Sequence, residues 1–498
     1  MIFEIAYSFF AFILVFLVLR FTKFASIEGL NKWDLSLAFV IKSLASLFFI
    51  YIFTWYYGPG YLVFDSREYI YDAKILNQVF YKSPINYFKL ITGIGETDEI
   101  VQYFLKQTSR WSSPYVIITN DTKNVTKVSS LIHFISFDCI YIHFIVFNLF
   151  ALNGLKNIYL FFKQYIHIHN RIFFYSLILI PSLLFWGSGV LKEPMLIFAI
   201  GLFLRAVSWK SNHIIYKITF FIISIYILLN FKAYVLLSII TPFTFILLAK
   251  NVLKKYPVGI SLLVTFLSFI LISIIFPKQR QKVVDYISVK QFDFNNVGKG
   301  GIYFFKDKKE IYIVNIQPED YKNIKIENGS FYVVKKTKAY IFNRRKNKLK
   351  KIYLQPDTNQ KIKINIILVK SNSYIKTNLI FGHFERLIYN IPEALVNSLF
   401  RPFLNDSGSK FKFLTFIETW TIFGFLGFVL FKRRKLNRNE LEISIALVLF
   451  IIGLSLIIGW STPVLGAIVR YRIPVYIAIV ILAFILYNPP ERITNKSL

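Results

Sequence analysis

FWGSGVLKEPM, residues 185–195, lies inside an apolar run from Ile172 to Leu204 in which Lys192 and Glu193 are the only charges. Its reading decides the fold. If the run is one membrane-crossing helix, a lysine and a glutamate stand near mid-bilayer, where each charge costs several kcal/mol. If Gly187, Ser188 and Gly189 make a turn, the run is two shorter spans and the charges move to a membrane boundary. The rest of the chain favours the turn.

The chain has 498 residues, 55% hydrophobic and 18% aromatic. Its mean hydropathy is +0.52. Apolar runs near the roughly 20 residues that cross a bilayer recur along it, which describes a polytopic helical membrane protein. One cysteine, Cys139, excludes an internal disulfide framework, and six scattered histidines show no metal-ligand spacing. The net charge is +32. No nucleic-acid motif accompanies it, and much of it sits in short loops between apolar runs, where cytoplasmic retention explains it. No nucleic-acid partner is expected.

Eleven spans are expected, at about 2–20, 36–56, 131–154, 172–187, 191–208, 215–230, 233–249, 258–276, 411–431, 441–460 and 473–488. Arg20, Lys23 and Lys32, then Lys156, Lys163 and Arg171, then Arg205, Lys210 and Lys217 follow alternate spans. So do Lys250, Lys254 and Lys255, the segment KRRKLNR (432–438), and Arg492 with Lys496. All fall on one side, which places the N-terminus outside and the C-terminus inside. The expected segments are two helices in 1–56, an outer loop with interfacial helices in 57–130, and helices three to eight in 131–276. An outer insertion fills 277–410, and three helices with a cytoplasmic tail complete 411–498. Within the insertion, GIYFF (301–305), EIYIVNI (310–316), SFYVVKKTKAYIF (330–342) and KIKINIILV (361–369) read as strands of a basic antiparallel β-domain at about 298–370. FERLIYNIPEALVNSLFRPF (384–403) reads as an amphipathic helix interrupted near Pro392.

Five features map to the outer face. In FDSREYIYDA (64–73), Asp65, Glu68, Tyr69 and Asp72 recur at helical spacing. Asp65, nearest the membrane, suits a general base towards a sugar hydroxyl or a metal ligand. The same residues fit a helix start with Asp65 as N-cap and Glu68 completing a capping box. At the 187–189 turn, Lys192 and Glu193 begin a helix whose free N–H groups suit a phosphate. Dipole stabilisation of Glu193 and snorkelling of Lys192 explain them equally well. Lys232 in NFKAY (230–234) is a lone cation, read as an interfacial anchor or an anion contact. Arg401 in LFRPFLNDS (399–407) precedes the span that holds Glu418. Arg470 and Arg472 in VRYRIPVY (469–476) break the positive-inside pattern and call for an anionic partner, either lipid phosphate or a phosphate-linked substrate.

FDSREYIYDA after an early membrane helix resembles the first outer loop of the GT-C glycosyltransferases. RYRIP (470–474) looks like a segment common to those enzymes and to O-antigen polymerase-like proteins. PSLLFWGSGVLKE (181–193) is similar to a segment of bacterial membrane proteins of the same kind. The resemblance implies an all-α, GT-C-like polytopic fold with a small extracytoplasmic β-rich insertion, in a bacterial cytoplasmic membrane. It implies transfer of sugar from a polyprenyl-phosphate-linked donor to a glycan acceptor in cell-envelope polysaccharide synthesis. Asp65 takes the role of base or metal ligand, with Glu68 and Glu193 as further carboxylates. Lys192, Lys232, Arg401, Arg470 and Arg472 face the phosphate, and Tyr69 and Glu418 stand as supporting candidates. Metal dependence is left open. GETDE (95–99) is the candidate for a second acidic loop. A polysaccharide polymerase, a transporter or flippase of a lipid-linked or anionic substrate, and a scaffold displaying the β-domain are the alternatives.

Overall fold

The computed structural model describes residues 2–22, 26–109, 111, 122–208, 214–306, 312–343 and 348–488. Lys23, Lys210, Arg492 and Lys496, used above for the loop charges, lie outside the described residues. The fold is mostly helical and divides into two compact units, Met1–Ile240 with Gly424–Leu447 and Tyr476–Leu498, and Thr241–Phe423 with Val448–Val475.

The first unit opens with α1 (Ile2–Phe21) and α2 (Asp34–Tyr51), the latter prolonged by a π-turn to Tyr56. Then come α3 (Phe64–Lys82), α4 (Pro84–Thr92), α5 (Asp98–Phe104), α6 (Lys123–Ser136) and α7 (Ile140–Phe162). Next are α8 (Asn170–Ile178), α9 (Pro181–Trp186), α10 (Lys192–Ser208) and α11 (Ile214–Leu247), the last of which passes into the second unit at Thr241. The residues after α2 do not only lie on a surface. Leu76, Val79, Tyr87, Leu90, Leu105 and Trp111 bury one another in a small core of their own. α7 and α10 cross where Gly154 meets Gly201. A Cβ on Gly201 would stand 2.4 Å from the Gly154 carbonyl oxygen, and one on Gly154 2.3 Å from that of Ile197. This close approach is open only to small residues, the usual basis of helix packing in lipid.

The second unit contains α12 (Val258–Ile275), α13 (Pro277–Lys299) and the β-domain. The strands are β1 (Gly301–Lys306), β2 (Tyr312–Ile316), β3 (Ile324–Glu327), β4 (Ser330–Val333), β5 (Thr337–Asn343), β6 (Lys348–Leu354), β7 (Asp357–Lys363) and β8 (Ile366–Leu368). They form an antiparallel five-stranded sheet, β6-β5-β2-β1-β8, and a three-stranded sheet, β3-β4-β7. Ile302, Phe304, Val314, Ile316 and Ala339 from the first sheet pack on Phe331 and Val333 from the second. The run SFYVVKKTKAYIF, expected as one strand, is two strands in different sheets. The break comes at Lys335–Lys336, where the apolar alternation stops. The expected amphipathic helix is α14 (Phe384–Tyr389) and α15 (Ile391–Leu399), parted at Asn390 just before Pro392. α16 (Phe411–Phe431), α17 (Arg438–Ser461), α18 (Leu465–Tyr471) and α19 (Ile473–Leu486) end the described chain, their residues divided between the units as given above.

Among the described residues, seven helices are long and apolar enough to cross a membrane, or eight if the pair α18–α19, bent by 50°, is one span. The expected count of eleven is too high for three physical reasons. The run 172–187 breaks at Leu179–Ile180, where Pro181 removes an N–H and excludes helix before it. α10 is short and opens on two charges. The spans expected at 215–230 and 233–249 count as one continuous candidate, α11. The expected break between them is present all the same: two helices meet there across a kink, with non-helical backbone at Lys232 (φ −154°, ψ 69°). With seven or eight candidate spans in place of eleven, the expected alternation of loop charge is not reproduced.

Candidate functional site

In the first unit, the turn 187–191 is the meeting place of α2, α3, α7 and α10. Gly187 and Gly189 are required there. A Cβ on Gly187 would stand 2.4 Å from the Leu183 carbonyl oxygen, and one on Gly189 3.0 Å from the Phe49 ring. Phe49 and Phe185, 5.1 Å apart at their centroids, wall the turn on one side. Its polar groups are met from two other helices, one of them backed by a third. Lys42 Nζ of α2, 1% exposed, donates to Gly187 O at 2.8 Å and to Ser188 Oγ at 3.1 Å. Ser46 Oγ donates to Ser188 O at 2.7 Å and accepts from Asn148 Nδ2 of α7 at 2.8 Å. Ser66 Oγ, in the first turn of α3, donates to Val190 O at 3.1 Å.

That last bond joins the two sequence motifs, which are 124 residues apart. It sets the first turn of α3, with Asp65, beside the turn that leads into Lys192 and Glu193. Both helices present their N-termini there, a place that favours negative charge. Lys192 and Glu193 are 8% and 1% exposed. Both side chains are therefore enclosed by protein. The turn is packed inside the protein, so Lys192 does not snorkel to headgroups. Asp65 is half-buried. It is not the N-cap either. α3 starts at Phe64, Val63 occupies the cap position, and no side chain caps the helix. Asp65 sits one residue inside, where the helix dipole still favours a carboxylate.

The other acidic residues of α3 hold structure. Glu68 accepts a hydrogen bond from Ser109 Oγ, and Asp72 Oδ1 accepts from Ser109 N at 2.9 Å, so together they pin the segment after α5. Tyr69 is buried. Glu96 of GETDE accepts from Trp111 Nε1 at 3.2 Å and Lys123 Nζ at 2.8 Å, and Thr97 caps α5. That motif is an internal tie. Lys232 is buried at the α11 kink, 5.4 Å from the Tyr234 ring centroid. It is not the exposed interfacial anchor expected, because the protein packs around the kink and buries it.

In the second unit, Arg472 is fully buried. Its Nη1 donates to the carbonyls of Ser398 (3.3 Å), Leu399 (3.4 Å) and Arg401, and its Nη2 donates to Thr419 Oγ1 at 2.9 Å. Arg401 Nε donates to Asn397 Oδ1 at 2.8 Å, and its Nη1 pairs with Asp406. These two guanidinium groups clamp the end of α15 to neighbouring segments. Arg470 is half-buried, and Glu418 is buried within α16.

Three groups escaped the sequence reading. Lys42 is the one that signalled itself, as a lone charge within the span 36–56. Ser66 and the histidine pair gave no signal. His133 of α6 and His143 of α7 lie edge to face with centroids 4.7 Å apart. His133 contacts Ile70 O at 3.2 Å, and burial holds it below its ordinary pKa. Among the described residues, no group of three or more His, Cys, Asp or Glu gathers to hold a metal ion.

Comparison with protein-family models, curated protein sequences and solved structures returns no match. The functional reading therefore stands on the residues themselves.

Proposed function

We propose that this multi-pass membrane protein is a GT-C-like glycosyltransferase. It would transfer sugar from a polyprenyl-phosphate-linked donor to a glycan acceptor at the outer face of a bacterial cytoplasmic membrane. The Ser66–Val190 bond carries the reading, because it brings the acidic motif of α3 to the turn that opens α10. Asp65 is the base towards the acceptor hydroxyl, by proximity to a donor whose phosphate lies at the paired helix N-termini. Lys192 neutralises charge on the departing phosphate, and Glu193 orients Lys192. Arg401 and Arg472 are left out of phosphate binding, since their donors already serve carbonyls, an amide, a carboxylate and a hydroxyl. Whether one sugar or a repeating unit is transferred is a matter of the acceptor, so a polymerase fits the same site.

The test is glycan synthesis by the purified protein in proteoliposomes supplied with polyprenyl-phosphate-linked sugars. Asp65→Asn and Lys192→Ala are expected to abolish product while the protein remains monodisperse and folded. Full product from both variants sinks the proposal. Labelling of cysteines added at each end, on intact cells, tests the orientation with the N-terminus out and the C-terminus in.

A second reading has specific support. Lys42 is buried in a spanning helix, α11 is kinked at Lys232, and the chain around 170–192 is broken into short helices. Discontinuous helices with intramembrane charge are the materials of transporters. Movement of a lipid-linked sugar across the bilayer without cleavage, lost in Lys42→Met, would favour that reading.

A further inference from the structure

The β-domain is strongly basic. Between positions 301 and 368 stand 16 Lys or Arg and 6 Asp or Glu. Part of that charge is explained by self-protection. β6 is the edge of the five-stranded sheet, and lysines on an edge strand deter pairing with another chain. Edge protection does not explain Lys338, because β5 is an interior strand between β6 and β2.

The register shows what these residues share. Lys338 stands opposite Tyr353 and Tyr340 opposite Lys351, so all four occupy one face of the β5–β6 pair. It is the face away from the core between the sheets, into which Ala339 and Leu354 point. Tyr340 on it is buried against Phe292 and Phe381, while Lys336, Lys351 and Tyr353 are open. Lys336 and Lys351 hold their ammonium groups 5.1 Å from the centroid of half-exposed Tyr353. Lys299, at the end of α13, is held below its ordinary pKa chiefly by burial; Glu319 and Asp320 favour its charge, and nearby Lys338 and Lys376 oppose it.

The position of this face follows from α13, which contacts it through Phe292, 6.2 Å from the Tyr340 ring. A different side of α13, at Val284 and Ile287, packs with Trp460 near the end of spanning helix α17. At its far end Gly298 meets Val464, just beyond Ser461, where α17 stops. α13 also begins two residues after spanning helix α12 ends. Helix α13 therefore links the end of one candidate span to the end of another.

We propose that this face is a docking surface for the anionic headgroups of the adjacent bilayer. Lys299, Lys336, Lys338, Lys351 and Lys376 meet lipid phosphates, and Tyr353 sits at headgroup depth. Charge complementarity and tethering argue for lipid over a soluble polyanion. Juxtamembrane lysines are drawn to a negative surface within a Debye length, and both ends of this domain lie beside the end of candidate span α17, at Val464. An amphipathic ring flanked by cations suits the interface.

The experiment is hydrogen exchange on the full chain in nanodiscs, either all phosphatidylcholine or with about 30% phosphatidylglycerol. Peptides covering 336–343 and 350–354 are expected to exchange about 10-fold more slowly in the anionic discs. The difference should vanish in about 0.5 M salt, where the Debye length falls to a few ångströms. It should vanish also in the K336E/K338E/K351E variant, with exchange of core strand β4 unchanged to show that the domain is folded. If the variant fails to fold, the salt result on the unmodified chain decides. Equal exchange in both discs overturns the proposal. So does slowing produced in neutral discs by added polygalacturonate or RNA and not by phosphatidylglycerol.

Discussion

Arg472 separates the two ways of reading this chain. From sequence it is a phosphate-binding cation; in the fold it is a clamp. Arg472→Lys keeps the charge and loses the fork. Four acceptors are served now: the two N–H groups of Nη1 are shared among the carbonyls of Ser398, Leu399 and Arg401, and Nη2 donates to Thr419 Oγ1. The two bonds to Ser398 and Leu399, at 3.3 and 3.4 Å, are long and at the weak end. A lysine reaching the same pocket carries three donors on one atom and can serve about two of these acceptors. The others become buried and unpaired, at about 1–3 kcal/mol each. A loss of about 2 kcal/mol follows, taking the two weak bonds at the low end of that range. For a unit of about 200 residues, that is about 4–8 °C in Tm. The assay is thermal unfolding of the detergent-purified protein, alongside KM for the lipid-linked donor once activity is found. If Arg472→Lys unfolds with the unmodified protein and raises KM alone, the guanidinium faces substrate and the clamp reasoning is wrong.

Two further outcomes test the packing and the buried charge. Gly201→Ala should open the α7–α10 crossing, because the new methyl stands 2.4 Å from the Gly154 carbonyl oxygen. A cost of about 1–3 kcal/mol is expected, read as a lower Tm; an unchanged Tm would mean the helices do not touch there. Asp293 on α13 is pushed up to about 7 by burial, a rise opposed in part by Lys290. Its folded pKa lies above the unfolded one, so its protonated form is favoured by folding. Stability is then fullest below about pH 4 and is lost as pH climbs towards and past 7. Asp293→Asn should flatten that decline and gain most at pH 8, measured as exchange of the α13 peptide against pH. An unaltered profile would refute it.

Much of the fold was legible because membranes and sheets impose simple patterns. The apolar runs announce spanning helices, since unpaired backbone cannot remain in lipid. The strands at 301–305 and 312–316 announce themselves by β-branched and aromatic alternation. What failed were places where continuity depends on neighbours. At NFKA the break expected between two spans is there, as non-helical backbone at Lys232, but the lysine is buried inside the protein where a lone lysine suggested an exposed loop. At Lys335–Lys336 a single apolar run turned out to serve two sheets, because strand partners lie elsewhere in the chain.

The candidate site divides in the same way. Sequence alone determined that a turn of Gly187, Ser188 and Gly189 separates the apolar run, because glycine and serine between aromatic and charged residues leave few alternatives. It also determined that acidic residues follow α2 at helical spacing. Tertiary structure decided that these two motifs touch, through Ser66 and Val190. It decided too that Lys192 and Glu193 are buried in protein rather than spread on a surface. The reason is that hydropathy reports a residue's cost of leaving water, not what replaces the water. Lys42 shows the difference: an unexplained charge in one dimension, it becomes in three the donor that satisfies Gly187 and Ser188.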